Sequence, residues 1–134
     1  MNTEKLHLVN KIFNNNTIRT IWDNEKEKYY ISVVDIVSAL TLSNRPRKYW
    51  SDLKKQLLQE GNEVSEKIGQ LKMIANDGKY RLTDVCDIEE MFRIIESIPS
   101  KNAEPVKQWL AKLGKEKIDE EVAKRVPEPK KIMY

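Results

Sequence analysis

At 134 residues, with 40% hydrophobic and 34% charged side chains, the chain has room for one domain with a modest core and some length outside it. No stretch approaches the ~18 uninterrupted apolar residues of a membrane span. The opening MNTEKLHLVNKIF is no secretory signal, and the single Cys86 cannot close an internal disulfide, so reducing cytoplasm is the expected compartment. The net charge of +3 is small but uneven: residues 1–59 carry ten Lys/Arg against six Asp/Glu, residues 60–100 five against nine, and residues 101–134 nine against six. Within the first block, five cations fall between Arg45 and Lys55, with Asp52 the only acid among them. Such local asymmetry is the usual footprint of a polyanion site.

Taken in order, residues 1–16 read as an arm or short strand ending in the turn-prone Asn14-Asn15-Asn16. Ile18–Trp22 and Tyr29–Ile31, β-branched and aromatic around the polar 23–28 stretch, predict a β-hairpin. Ser32, with Asp35 three residues on, predicts a capped helix whose apolar face is Val33, Val34, Ile36, Val37 and Leu40, ending near Thr41–Leu42. Pro46 suits the first turn of a second helix running to Gln59, with Trp50, Leu53 and Leu57 inward and Gly61-Asn62 as its stop. Residues 62–69 read as loop. Leu71–Ala75, the turn Asn76-Asp77-Gly78-Lys79, and Tyr80–Leu82 predict a second hairpin. Thr83 is expected to open a third helix, with Asp84 in its first turn and Cys86 early in it, stopped by Pro99. A fourth helix is expected from Ala103 to Leu113, ended by Gly114. The Lys/Glu-rich remainder reads as a flexible tail.

One unit is thus used twice: strand, polar turn, tyrosine-bearing strand, hydroxyl residue, helix. Duplication and convergent use of a stable unit both account for it. The expected fold is α+β, a single small domain with two β-hairpins or a small mixed sheet packed against about four helices. Its divisions are 1–16 as N-terminal arm, 17–113 as folded domain and 114–134 as charged tail. Trp22, Val33, Ile36, Leu40, Trp50, Leu53, Leu82, Ile88, Phe92 and Trp109 are the expected core.

The inventory argues against catalysis. There is one histidine, His7, no Cys/His cluster for zinc and no Gly-rich phosphate loop. Cys86 has no histidine partner and reads as a buried structural thiol. Asp84, Asp87, Glu89 and Glu90 are what helix N-termini attract anyway. No catalytic, cofactor or metal residue is therefore expected.

The informative segment is Ser43–Gln56. On a helix, Arg47, Ser51 and Lys54 lie along one strip, with Lys48 and Lys55 beside it, while Trp50, Leu53 and Leu57 face away. That leaves a cationic face of a length that a duplex major groove admits. Cations supply phosphate attraction, and arginine also reads guanine edges. Arg45 belongs to the same cluster, and Arg19, Lys5 and Lys11 would add to it if the fold brings them near. A solvated amphipathic helix accounts for the same composition. Trp22, Tyr29, Tyr30 and Tyr49 could stack on bases, but in hairpins of alternating pattern half-buried core positions are the commoner use.

Three ordered motifs resemble a known family. Ile18-Arg-Thr-Ile-Trp-Asp followed by Tyr30-Ile-Ser-Val-Val-Asp35-Ile-Val-Ser-Ala-Leu40 is similar to the opening of the BRO N-terminal domain. Asp77-Gly-Lys-Tyr80-Arg-Leu82-Thr-Asp resembles its glycine–aromatic–x–leucine strand. Asn102-Ala-Glu-Pro-Val-Lys-Gln-Trp109-Leu resembles its closing helix, with Val106 where phenylalanine is usual. The likeness covers about residues 17–113. It implies a DNA-binding regulatory module of the kind found in baculoviral BRO proteins and prophage antirepressors. The stretch after Trp109, and Arg45–Trp50, look more like the DNA-damage-inducible protein D branch, whose members continue well beyond this length, so the chain could be an N-terminal piece. The resemblance names no base-contacting residue. DNA is the expected partner, with no membrane and with self-association left open. The alternatives are an antirepressor that engages a repressor protein through an apolar patch, and a nuclease accessory whose carboxylates converge on a metal.

Overall fold

The computed structural model describes residues 6–61 and 63–125. Its strands are β1 (Leu6–Leu8), β2 (Lys11–Phe13), β3 (Asn16–Ile18), β4 (Thr20–Asp23), β5 (Lys28–Ser32), β6 (Gly69–Ile74) and β7 (Tyr80–Cys86). Its helices are α1 (Val33–Thr41), α2 (Pro46–Gln59), α3 (Ile88–Glu96) and α4 (Ala103–Arg125), with a 3-10 turn over Glu63–Lys67. Five strands form one antiparallel sheet in the order β1-β4-β5-β7-β6, and β2–β3 is a separate hairpin. The expected α+β class stands, with four helices, one five-stranded sheet and one small hairpin.

The stretch 1–16, read as an arm, contributes β1 and β2 to the folded body. Asn14 and Asn15 hold φ of 48° and 67°, the left-handed pair that a two-residue hairpin turn requires and that asparagine tolerates. Phe13 is buried edge-on against Trp109, ring centres 5.9 Å apart, and the Trp109 indole donates to the Ile12 carbonyl at 3.0 Å.

α1 is the centre of the core. Val33, Ile36, Val37 and Leu40 are buried among Trp50, Leu53 and Leu57 of α2, Met91, Ile94 and Ile95 of α3, and Val106 and Leu110 of α4. Each such side chain contributes about 1.5–3 kcal/mol on burial. The Ser32 cap forms as expected, accepting from the Asp35 amide at 3.3 Å. Leu42 closes the helix in the left-handed conformation.

Two expectations fail around β7. The strand does not yield to a helix at Thr83; it runs on to Cys86, because β-branched Thr83 and Val85 pair with Leu71 and Gly69 of a longer β6. The helix cap is Asp87, whose carboxylate accepts from the Glu90 amide at 2.9 Å. With the strand extended, period-two alternation sends Leu82 outward beside Tyr80, so Leu82 is 61% exposed rather than core. Cys86 ends the strand instead of opening a helix. It is buried, and burial pushes its thiol far above the ordinary range, which leaves it an inert packing residue. Trp22, Val33, Ile36, Leu40, Trp50 and Leu53 are buried as expected, while Ile88, Phe92 and Trp109 pack partly buried against the same core.

Gly114 does not end α4. A Cβ there would meet Ile88 Cδ1 at 3.3 Å, so the glycine serves the close approach of α4 to the start of α3. Beyond it the helix is carried by pairs such as Lys115–Asp119 and Lys117–Glu121 at i,i+4. Lys117 also sits over the Trp22 ring, 4.5 Å from its centre.

Met73 and Val85 bury against Ile21 on the sheet face opposite the helices. The β6–β7 ribbon therefore curls back across β4–β5, and Arg19 secures it there. The Arg19 guanidinium makes a two-pronged pair with Asp35 (Nε–Oδ2 2.8 Å, Nη2–Oδ1 3.0 Å), while Nη1 donates to the Ile74 carbonyl at 3.0 Å. One side chain thus joins the β3–β4 junction, the first turn of α1 and the end of β6.

Candidate nucleic-acid interface

α2 differs from the other capped helices at its N-terminus. α1 begins with Ser32 and Asp35, and α3 with Asp87, Glu89 and Glu90, as the helix dipole favours. α2 has no side-chain cap and no acid in its first turn; Arg45 stands at the cap position with Arg47 and Lys48 just inside. Cations there work against the dipole by about 0.3–1 kcal/mol each. Leu53 and Leu57 are buried beneath, so the orientation is firm and the cations face solvent.

The structure sorts the expected site residues into three groups. Arg45, Arg47 and Lys55 are exposed, with no acidic partner among the described residues, and Ser51 is exposed between them on the same strip. Lys48 is exposed but pairs with Asp52 one turn on, at 3.1 Å. Lys54 and Arg19 are committed to the fold. Lys54 donates to Asp84 Oδ2 at 2.9 Å, and Arg19 holds Asp35 with both side chains only 17% exposed. Lys11 lies over the Tyr29 ring, 6.0 Å from its centre. Lys5 falls outside the described residues, as do Lys130 and Lys131. Trp22 and Tyr29 are core residues packed edge to face, and Tyr30 and Tyr49 are partly buried.

Asp84 fixes α2 to the ribbon. Its carboxylate accepts from the Trp50 indole at 2.8 Å, Lys54 at 2.9 Å and Gln70 at 3.0 Å. Burial raises the Asp84 carboxyl, but the hydrogen bonds from Lys54, Gln70 and Trp50 outweigh it and hold it below the usual range. A carboxylate depressed in the folded state stabilises above its unfolded value and loses that contribution as pH falls through the folded one. Asp84→Ala is therefore expected to cost about 2 kcal/mol at neutral pH, since it strands the buried Trp50 donor. In paired thermal melts the deficit should narrow, as the Lys54 pair is lost, only below the ordinary carboxylate range.

Arg47 stands where α2, α1 and the ribbon meet, sharing one cleft with Asp35, Ser38 and Ala75 and a second with Trp50 and Thr83. The β6–β7 ribbon was expected as a hairpin, but not as a surface beside α2. Lys72, Lys79, Tyr80 and Leu82 are all exposed there. Reading Thr83 as a helix start concealed the alternation that places Tyr80, Leu82 and Asp84 on one face.

The family model described as BRO family, N-terminal domain, matches residues 17–123. No curated protein and no solved structure matches the chain significantly.

Proposed function

The chain belongs to the BRO family through its N-terminal domain, and from that membership we propose that it is a non-catalytic DNA-binding regulatory module, of prophage antirepressor type, acting in the cytoplasm. The observation that carries the reading is the N-terminus of α2. Arg45, Arg47 and Lys48 occupy positions where the fold prefers acids, next to backbone amides that have no side-chain acceptor. A local arrangement that opposes the fold's own preference is what a binding site leaves behind. Phosphate oxygens would reverse the sign of that penalty. Ser51 and Lys55 extend the same strip along the helix.

The test is a titration of the chain with a duplex of about 20 base pairs, two helical turns, over a range of salt. With four exposed α2 cations engaged, log affinity should fall against log salt with a slope of roughly −4. No binding, or binding indifferent to salt, would remove this reading.

A second reading, engagement of a repressor protein, draws on a different surface. Ile118 and Val122, 64% and 48% exposed, stand one turn apart on α4 beside a groove floored by Trp22, Tyr29 and Ile88. If that surface carries the function, Ile118→Ser should abolish repressor capture and leave duplex binding untouched. No described helix is long and apolar enough to cross a membrane.

A further inference from the structure

The β6–β7 ribbon presents an apolar surface that neither the core nor α2 uses. Tyr80, Leu82 and Ile74 are 65%, 61% and 41% exposed. The register sets Ile74 opposite Tyr80 and Lys72 opposite Leu82, so all four share one face. Side chains of this size on a hairpin are ordinarily turned inward, and a contiguous exposed set marks a contact surface.

Its chemistry says what it contacts. Lys72 and Lys79 are exposed, with no acidic partner among the described residues. The two nearby acids are neutralised within the fold, Asp77 by Arg81 and Asp84 by Lys54. An apolar strip between unpaired cations suits a polyanion that also carries flat apolar surface. A second copy of this chain would bring the same cations against themselves.

The strip also lies next to α2. Asp84 lies two residues from Leu82 on the same face and is bonded to Trp50 and Lys54, so the strip continues the α2 surface. From there to Tyr80 the strand advances about 13 Å at ~3.3 Å per residue. The Arg19 bond to the Ile74 carbonyl anchors the far end. A rigid two-stranded ribbon of that reach fits a duplex groove about 12 Å wide and 8.5 Å deep.

We propose that this ribbon face is a base-contacting surface for double-stranded DNA, with Tyr80 and Leu82 against the bases and Lys72 and Lys79 on the flanking phosphates. The proposal rests on the duplex-binding reading of α2 and divides the work: α2 grips the backbone, and the ribbon enters a groove.

The experiment uses the full chain, a mixed-sequence duplex of about 20 base pairs and one of its strands alone. Tyr80→Ser with Leu82→Ser should weaken duplex binding about tenfold. The salt slope should be unchanged, since no charge is removed. Tyr80→Phe should bind as the parent does. Lys72→Ala with Lys79→Ala, which leaves the apolar strip in place, should instead shallow the slope by about 0.9 per residue. Unchanged duplex affinity in the Ser variant, a loss confined to the single strand, or a loss of self-association alone would each overturn the proposal while α2 binding stands. A parent chain that binds no duplex would overturn both.

Discussion

Asp35→Ala should lower the midpoint of thermal unfolding by about 12 °C, a larger effect than any exposed substitution in this chain. The carboxylate accepts from the Arg19 backbone amide at 2.9 Å as well as from the guanidinium through both oxygens. Removing it leaves a part-buried guanidinium and a backbone donor without an acceptor, and frees the β6 end that Arg19 also holds. Breaking a fully buried pair costs about 3–5 kcal/mol. At 17% exposure some of that is recovered by water, so about 3 kcal/mol is expected. For a domain of this size each kcal/mol moves the midpoint by roughly 4 °C. Asp35→Asn, which keeps one acceptor oxygen, should fall between. Calorimetry of the three proteins decides it, and a shift under about 4 °C for the alanine variant would make the pair an ordinary surface contact.

That pair marks where sequence reasoning stopped. Asp35 reads locally as the second half of a helix cap, and Arg19 as one more cation for a basic patch. Both local readings are sound, but the contact joins residues sixteen apart and extends to Ile74, fifty-five residues from Arg19. No periodicity reports a contact of that range. Within segments the patterning was dependable: the face of α1 apart from half-buried Val34, the inward Trp50, Leu53 and Leu57 of α2, and the Asn-Asp-Gly turn stand as expected. Failures came where one residue type serves two purposes. Thr83 suits a helix cap and a strand equally, and pairing with β6 decided for the strand. Gly114 suits a helix stop and a close helix crossing, and Ile88 decided for the crossing. Lys54 was legible as a cation on the right strip of α2, but Asp84, thirty residues away, commits it to the fold.

The second large effect is on binding. Arg45→Ala, Arg47→Ala, Lys48→Ala and Lys55→Ala together remove the exposed cations of α2 and leave Lys54 to hold Asp84. Counterion release at roughly 0.9 per phosphate predicts a loss of roughly three to four orders of magnitude in duplex affinity at 0.1 M salt. Stability should move the other way. Three of the four stand at or just inside the α2 N-terminus, where a cation opposes the dipole, so the unfolding midpoint should hold or rise by a few degrees. A variant that binds far less while unfolding no earlier cannot be dismissed as misfolded. Lys130→Ala and Lys131→Ala belong in parent and variant alike, to remove the tail's own attraction for phosphate. The decisive measurement is then the slope of log affinity against log salt for the two proteins on the same duplex. The account predicts that the slope shallows by about 3 to 4 in the variant. Parallel lines of equal affinity would contradict it, and would leave the α2 cations as a solvated surface.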